Sequence, residues 1–140
     1  MHEFITTLVR SDGERLIARA EGRPDLDVSS PPAFGGEAGR WTPEDLVCSA
    51  VESCLALTAQ YFVQKNKIGL KQWSSRTRAT MEKGPGGLRF TALEVTITAT
   101  VAEAEDVSKL TEAVHLAEKF CPVSNVLTLP VAVRLDATVA

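Results

Sequence analysis

Polar and apolar residues alternate most regularly between Leu88 and Val101. Leu93, Val95, Ile97, Ala99 and Val101 face one way, and Glu94, Thr96, Thr98 and Thr100 the other. That two-residue period is the signature of a half-buried strand. Val131 to Val139 alternates again and predicts a closing strand. Trp73 to Met81 reads as the strand before the best one, joined to it by a turn at Gly84-Pro85-Gly86-Gly87. Near the N-terminus, Phe4 to Val9 and Leu16 to Ala20 predict a hairpin around Ser11-Asp12-Gly13, and Leu26 to Val28 a third short strand. Ser30 to Gly36 is loop, because its prolines and glycines defeat regular pairing.

Two segments change to a helical period. Leu46, Val47, Ala50, Val51, Cys54, Leu55, Leu57, Thr58, Tyr61 and Phe62 recur at helical spacing. Thr42 is a good N-cap, Pro43 suits the first helical position, and Glu44 and Asp45 suit the positive end of the dipole. The helix is expected to end near Lys67-Ile68-Gly69. A second runs from about Val107 to Phe120, with Val107, Leu110, Val114, Ala117 and Cys121 on one stripe, and Pro122 interrupts it. Strands in groups with two intervening helices predict an α+β fold in one domain, residues 1–140.

Composition adds mainly exclusions. The 140 residues are 44% hydrophobic and 24% charged, with a net charge of -3. Lys and Arg are scattered singly, which argues against a nucleic-acid partner. Met1 to Arg10 has no secretory pattern, and Leu46 to Val63, interrupted by Ser49, Glu52, Ser53 and Gln60, reads as too polar to cross a bilayer. A soluble, cytoplasmic protein is expected, with its three cysteines as thiols. His2 and His115 are the only histidines, and no Cys-x-x-Cys is present, so no metal site is expected. No glycine-rich phosphate loop precedes a helix, and no cofactor is expected.

The cysteines carry the remaining chemistry. Cys54 lies within the first helical stripe, where a cysteine is either a small core hydrophobe or a thiol whose anion something stabilises. Cys121 ends the second stripe beside Pro122. Both helices bury their stripes, so the two cysteines could meet or could simply be packing residues. Cys48, roughly 120° from Cys54 on the wheel, reads as packing.

Thr42-Pro43-Glu44-Asp45-Leu46 with Cys54 ten positions after Glu44 resembles the Asn-Pro-Glu-x-Leu…Cys helix of the OsmC/Ohr family. Cys121-Pro122-Val123-Ser124-Asn125 resembles that family's Cys-Pro-x-Ser motif, and Ser30 to Gly36 the loop before its first long helix. The resemblance implies antiparallel sheets around two core helices in an intertwined homodimer, with the active sites at the subunit interface. It implies a peroxidase that reduces organic or fatty-acid hydroperoxides through a peroxidatic Cys54 and a resolving Cys121, recharged by a dithiol. It also implies that Glu44 and an N-terminal arginine hold and activate the thiolate. Arg10 and Arg15 both qualify, and the family's double glycine is missing beside them.

Ten residues of helix separate Glu44 from Cys54 by about 15 Å along the axis. Glu44 therefore needs a bent helix start, a bridging arginine or a neighbouring subunit, or else it only stabilises the helix N-terminus. Glu52, two residues before Cys54, replaces a residue that is usually small. A second functional class stays open: the same fold holding a small hydrophobic ligand with little turnover. In a third, both cysteines are structural.

Overall fold

A computed structural model describes residues 1–11 and 15–140. The expected turn at Ser11-Asp12-Gly13 falls mostly outside them. By internal packing the chain divides into two compact units, Met1–Val47 and Cys48–Ala140.

The first unit holds a three-stranded antiparallel sheet of β1 (Thr7–Arg10), β2 (Leu16–Arg19) and β3 (Leu26–Val28). In β1, Arg10 pairs with Leu16, and Leu16 in turn pairs with Val28. These three residues share one face of the sheet. Ile17, one residue along, pairs with Asp27 on the other face. The loop that follows is tight: the Ser30 carbonyl occupies the space where a Cβ on Gly36 would stand. Within it Pro32–Phe34 makes one 3-10 turn.

Helix α1 (Pro43–Lys65) begins in a reciprocal cap. The Asp45 amide donates to Thr42 Oγ1 at 3.1 Å, and the Thr42 amide donates to Asp45 Oδ2 at 3.0 Å. Asp45 thus plays the returning role that Glu or Gln usually takes. At the other end the Lys67 amide donates to the Gln64 carbonyl at 3.2 Å and the Ile68 amide to the Val63 carbonyl at 3.0 Å. This is a Schellman closure. Its left-handed residue is Lys67, at φ 52°, within the Lys67-Ile68-Gly69 region where the helix was expected to end. The buried Ile68 and Val63 supply the apolar contact that accompanies such a closure.

In the second unit β4 (Leu70–Gly84) and β5 (Gly87–Val101) form a long antiparallel hairpin. β4 is longer than the Trp73–Met81 expected, because it stays paired along the whole of β5. β6 (Val131–Val139) joins β5 in parallel. Antiparallel pairing throughout, which the family resemblance had implied, is therefore corrected to a mixed sheet. The physical reason is α2 (Ala104–Phe120), a crossover that returns the chain to the starting end of β5. A four-residue helix, α3 (Pro122–Asn125), follows it.

Val51, Leu55, Ala59 and Val63 of α1 make a stripe at every fourth residue. They pack with Val95, Ile97, Ala99 and Val101 of β5 and with Leu110, Ala113, Val114 and Ala117 of α2. Each of the valine, leucine and isoleucine side chains stabilises the fold by about 1.5–3 kcal/mol when fully buried. The opposite flank of α1 keeps apolar Leu57 and Tyr61 exposed, at 66% and 59%. By length and composition α1 is apolar enough to cross a membrane, with a mean hydropathy of 1.5 over its most apolar window. Composition thus does not exclude spanning, as Glu52 and the serines had suggested. The packing of the Val51–Val63 stripe is that of a core helix.

Candidate active site

Cys54 sits one residue ahead of Leu55, so it lies about 100° round the helix from that buried residue. That offset leaves it partly exposed while Leu55 is buried. Cys121 is placed by a different cause. Pro122 disfavours helical geometry at the residue before it, and Cys121 takes an extended conformation, φ -65° and ψ 110°, between α2 and α3. The Asn125 side-chain amide donates to the Lys119 carbonyl at 3.1 Å, satisfying one orphan acceptor at the broken end of α2. Cys121 is completely buried.

The two thiols lie near enough for each to alter the other's ionisation. Burial raises the Cys54 pKa; the Val123 amide opposes that, and the neighbouring Cys121 adds to it. Thr58 also stands beside this sulfur, but its one proton goes to the Cys54 carbonyl at 2.7 Å, so its help is slight. For Cys121, burial again pushes upward, but the Ser124 hydroxyl and amide, the Cys54 thiol and the Val123 amide together outweigh it, and its pKa is lowered. The defined bond among these is the Ser124 hydroxyl, which donates to Cys121 Sγ at 3.2 Å. The amides contribute as nearby dipoles and do not form a regular helix cap.

A cavity of about 310 Å³ is lined by Leu55, Glu118, Ser124, Leu127, Leu129 and Val133 among others; it shares Ser124 with the cysteine site, and neither Cys54 nor Cys121 lines it. Glu52 is not among the groups that act on the Cys54 sulfur. Cys48 is half-buried.

The other expected site residues belong to the first unit. One carboxylate oxygen of Glu44, Oε2, is buried with no donor among the described residues. Arg15 pairs with Asp27 at 3.6 Å, both about half exposed. Arg10 is exposed and has no ion pair among the described residues. Because the two flank the hairpin in successive registers, they lie on opposite faces of it. Sequence reading missed one participant. Ser124 was quoted only as part of a motif, although a serine three residues after a cysteine on one helical turn points back toward it.

A family model for OsmC-like proteins matches residues 35–136. The chain belongs to the OsmC-like family. No curated protein matches it. Among solved structures this OsmC-like chain is similar to an OsmC-like protein of unknown function from Vibrio cholerae, with a TM-score of 0.86 and 16% identity over 97% of this chain and 100% of that one. It is also similar to an organic hydroperoxide resistance protein OsmC from Legionella pneumophila, with a TM-score of 0.69 and 22% identity over 100% and 98%. A third is an organic hydroperoxide resistance protein from Elizabethkingia anophelis, with a TM-score of 0.72 and 20% identity over 100% and 96%. These likenesses establish the OsmC-like fold, and family membership points to a peroxide-related redox role.

Proposed function

We propose that this protein is a cytoplasmic thiol peroxidase that reduces organic hydroperoxides, with Cys54 peroxidatic and Cys121 resolving. The observation that carries the reading is the meeting of a partly exposed Cys54 with a buried Cys121. The Cys54 thiolate attacks the O–O bond and releases an alcohol. The sulfenic acid left on Cys54 condenses with Cys121, expelling water and forming a disulfide before further oxidation. A dithiol then returns both sulfurs to thiols. The cavity that shares Ser124 with the site carries Leu55, Leu127, Leu129 and Val133, which suit a substrate with a hydrocarbon group.

Activation needs a cation, because burial and Cys121 together push the Cys54 pKa up. In this reading an arginine supplies it and Glu44 clamps the guanidinium. The orphaned Glu44 Oε2 is what such a clamp would satisfy. Arg10 is the better candidate, since Arg15 already faces Asp27. The 15 Å of helix between Glu44 and Cys54 is accommodated when the clamp serves the site of a second subunit in a homodimer.

The raised Cys54 pKa favours one alternative, a fold that holds a small hydrophobic ligand and turns over little. Hydroperoxide consumption in the presence of a dithiol separates the two. The peroxidase consumes organic hydroperoxide and loses that activity in Cys54→Ser; a binding protein consumes none.

A further inference from the structure

We propose that Ser124 is a positioning residue for the reductive half of the cycle: its hydroxyl holds Cys121 as the sulfur that leaves, while the incoming dithiol attacks Cys54. This rests on the Cys54–Cys121 disulfide proposed above. Two observations carry it. Cys121 is fully buried, whereas Cys54 keeps part of its surface exposed. A thiolate must approach the sulfur it attacks, so only Cys54 is open to one. The Ser124 hydroxyl donates to Cys121 Sγ at 3.2 Å, where the negative charge develops as the disulfide opens. A buried thiolate without a donor is costly, and a donor already in place stabilises it without reorganisation. The lowered pKa of Cys121 agrees, since a more acidic thiol leaves faster.

The electrons balance as follows. One thiolate of the reductant forms a bond to Cys54 Sγ. The Cys54–Cys121 bond breaks, and its electron pair passes to Cys121 Sγ. The second thiol of the reductant loses its proton and attacks the reductant sulfur of the mixed disulfide. This expels the Cys54 thiolate and closes the oxidised reductant. Two electrons enter the protein, and Cys121 regains a proton from solvent.

The test uses the full-length protein, with the disulfide made by diamide in place of peroxide. Brief exposure to 2-mercaptoethanol followed by acid quenching and peptide mass analysis is expected to place the adduct on Cys54; an adduct on Cys121 overturns the proposal. Reduction by dithiothreitol is expected to slow about tenfold in Ser124→Ala, in line with the loss of a hydrogen bond to a charged group. Ser124→Thr, which keeps the hydroxyl, is expected to retain the rate within about twofold by the same argument. In Cys54→Ser, where Cys121 titrates without its partner, adding Ser124→Ala is expected to raise the thiolate absorbance midpoint by about one pH unit. A wild-type rate in Ser124→Ala overturns the proposal, and so does equal slowing in Ala and Thr, which marks a packing role. No peroxide enters these measurements. Failure here leaves the peroxidase reading standing, and a protein inert to hydroperoxide can still pass.

Discussion

The Ser124 hydroxyl donates to the Cys121 sulfur at 3.2 Å, across a single turn of backbone that Pro122 opens. The pair shows how a local rule sets up chemistry. Proline ends α2 at Cys121, the next turn brings Ser124 back against the sulfur, and the packing of α2 buries the result. Cys54 then meets this buried sulfur from the edge of the α1 stripe.

The exposed flank of α1 leads to the first prediction. Leu57 and Tyr61 are apolar and largely uncovered, and so are Phe4 and Ile5 in the first unit. Light scattering at low micromolar concentration is expected to give about twice the 15.1 kDa chain mass. Leu57→Glu is expected to weaken that association, because it puts a charge on an apolar interface. A wild-type protein that stays monomeric contradicts the two-subunit clamp.

The hairpin arginines give the second. Arg10→Lys keeps the charge but loses the planar fork, and peroxidase turnover is expected to fall by roughly a hundredfold, as when a bidentate clamp in an active site is lost. Glu44→Ala is expected to cost about as much. Arg15→Ala removes only a half-exposed pair with Asp27, so activity and stability are expected to stay near wild type, changing stability by well under 1 kcal/mol. Turnover measured for the three variants side by side checks the ordering. The reverse order for the two arginines assigns the clamp to Arg15.

The third concerns pH. Burial disfavours the anion, so the surroundings of Cys54 within its own unit raise its pKa. A guanidinium acts in the opposite direction. The midpoint for alkylation of Cys54 is therefore expected below the free-thiol value of about 8.5 in the wild type, and above it in Arg10→Ala. If the wild-type midpoint is at or above that value and neither arginine variant moves it, the ligand-binding reading replaces the peroxidase.

Much of this was legible in the chain. The alternation in Val131–Val139 gave β6 its bounds, and Thr42-Pro43 gave α1 its start, because both signals are local. The direction of β6 was not legible, since pairing direction depends on where the α2 crossover delivers the chain and no residue of β6 records it. The end of α1 was legible to within two residues, but not which residue turns left-handed, since Lys67 takes that conformation through the closure made with Val63 and Gln64. At the site, the two cysteine motifs were visible as motifs. Which thiol ionises more readily was not, because that depends on Ser124, Val123 and the mutual contact, and only the fold assembles them.

The central claim is that a hydroperoxide joins Cys54 to Cys121. One equivalent of an organic hydroperoxide is added to the reduced protein, and the unreduced peptides are analysed by mass spectrometry. The account predicts a Cys54–Cys121 link that excludes Cys48, and in Cys121→Ser a Cys54 that proceeds to sulfinic acid because no thiol captures the sulfenate. A Cys48–Cys54 link, or no link at all, would contradict it.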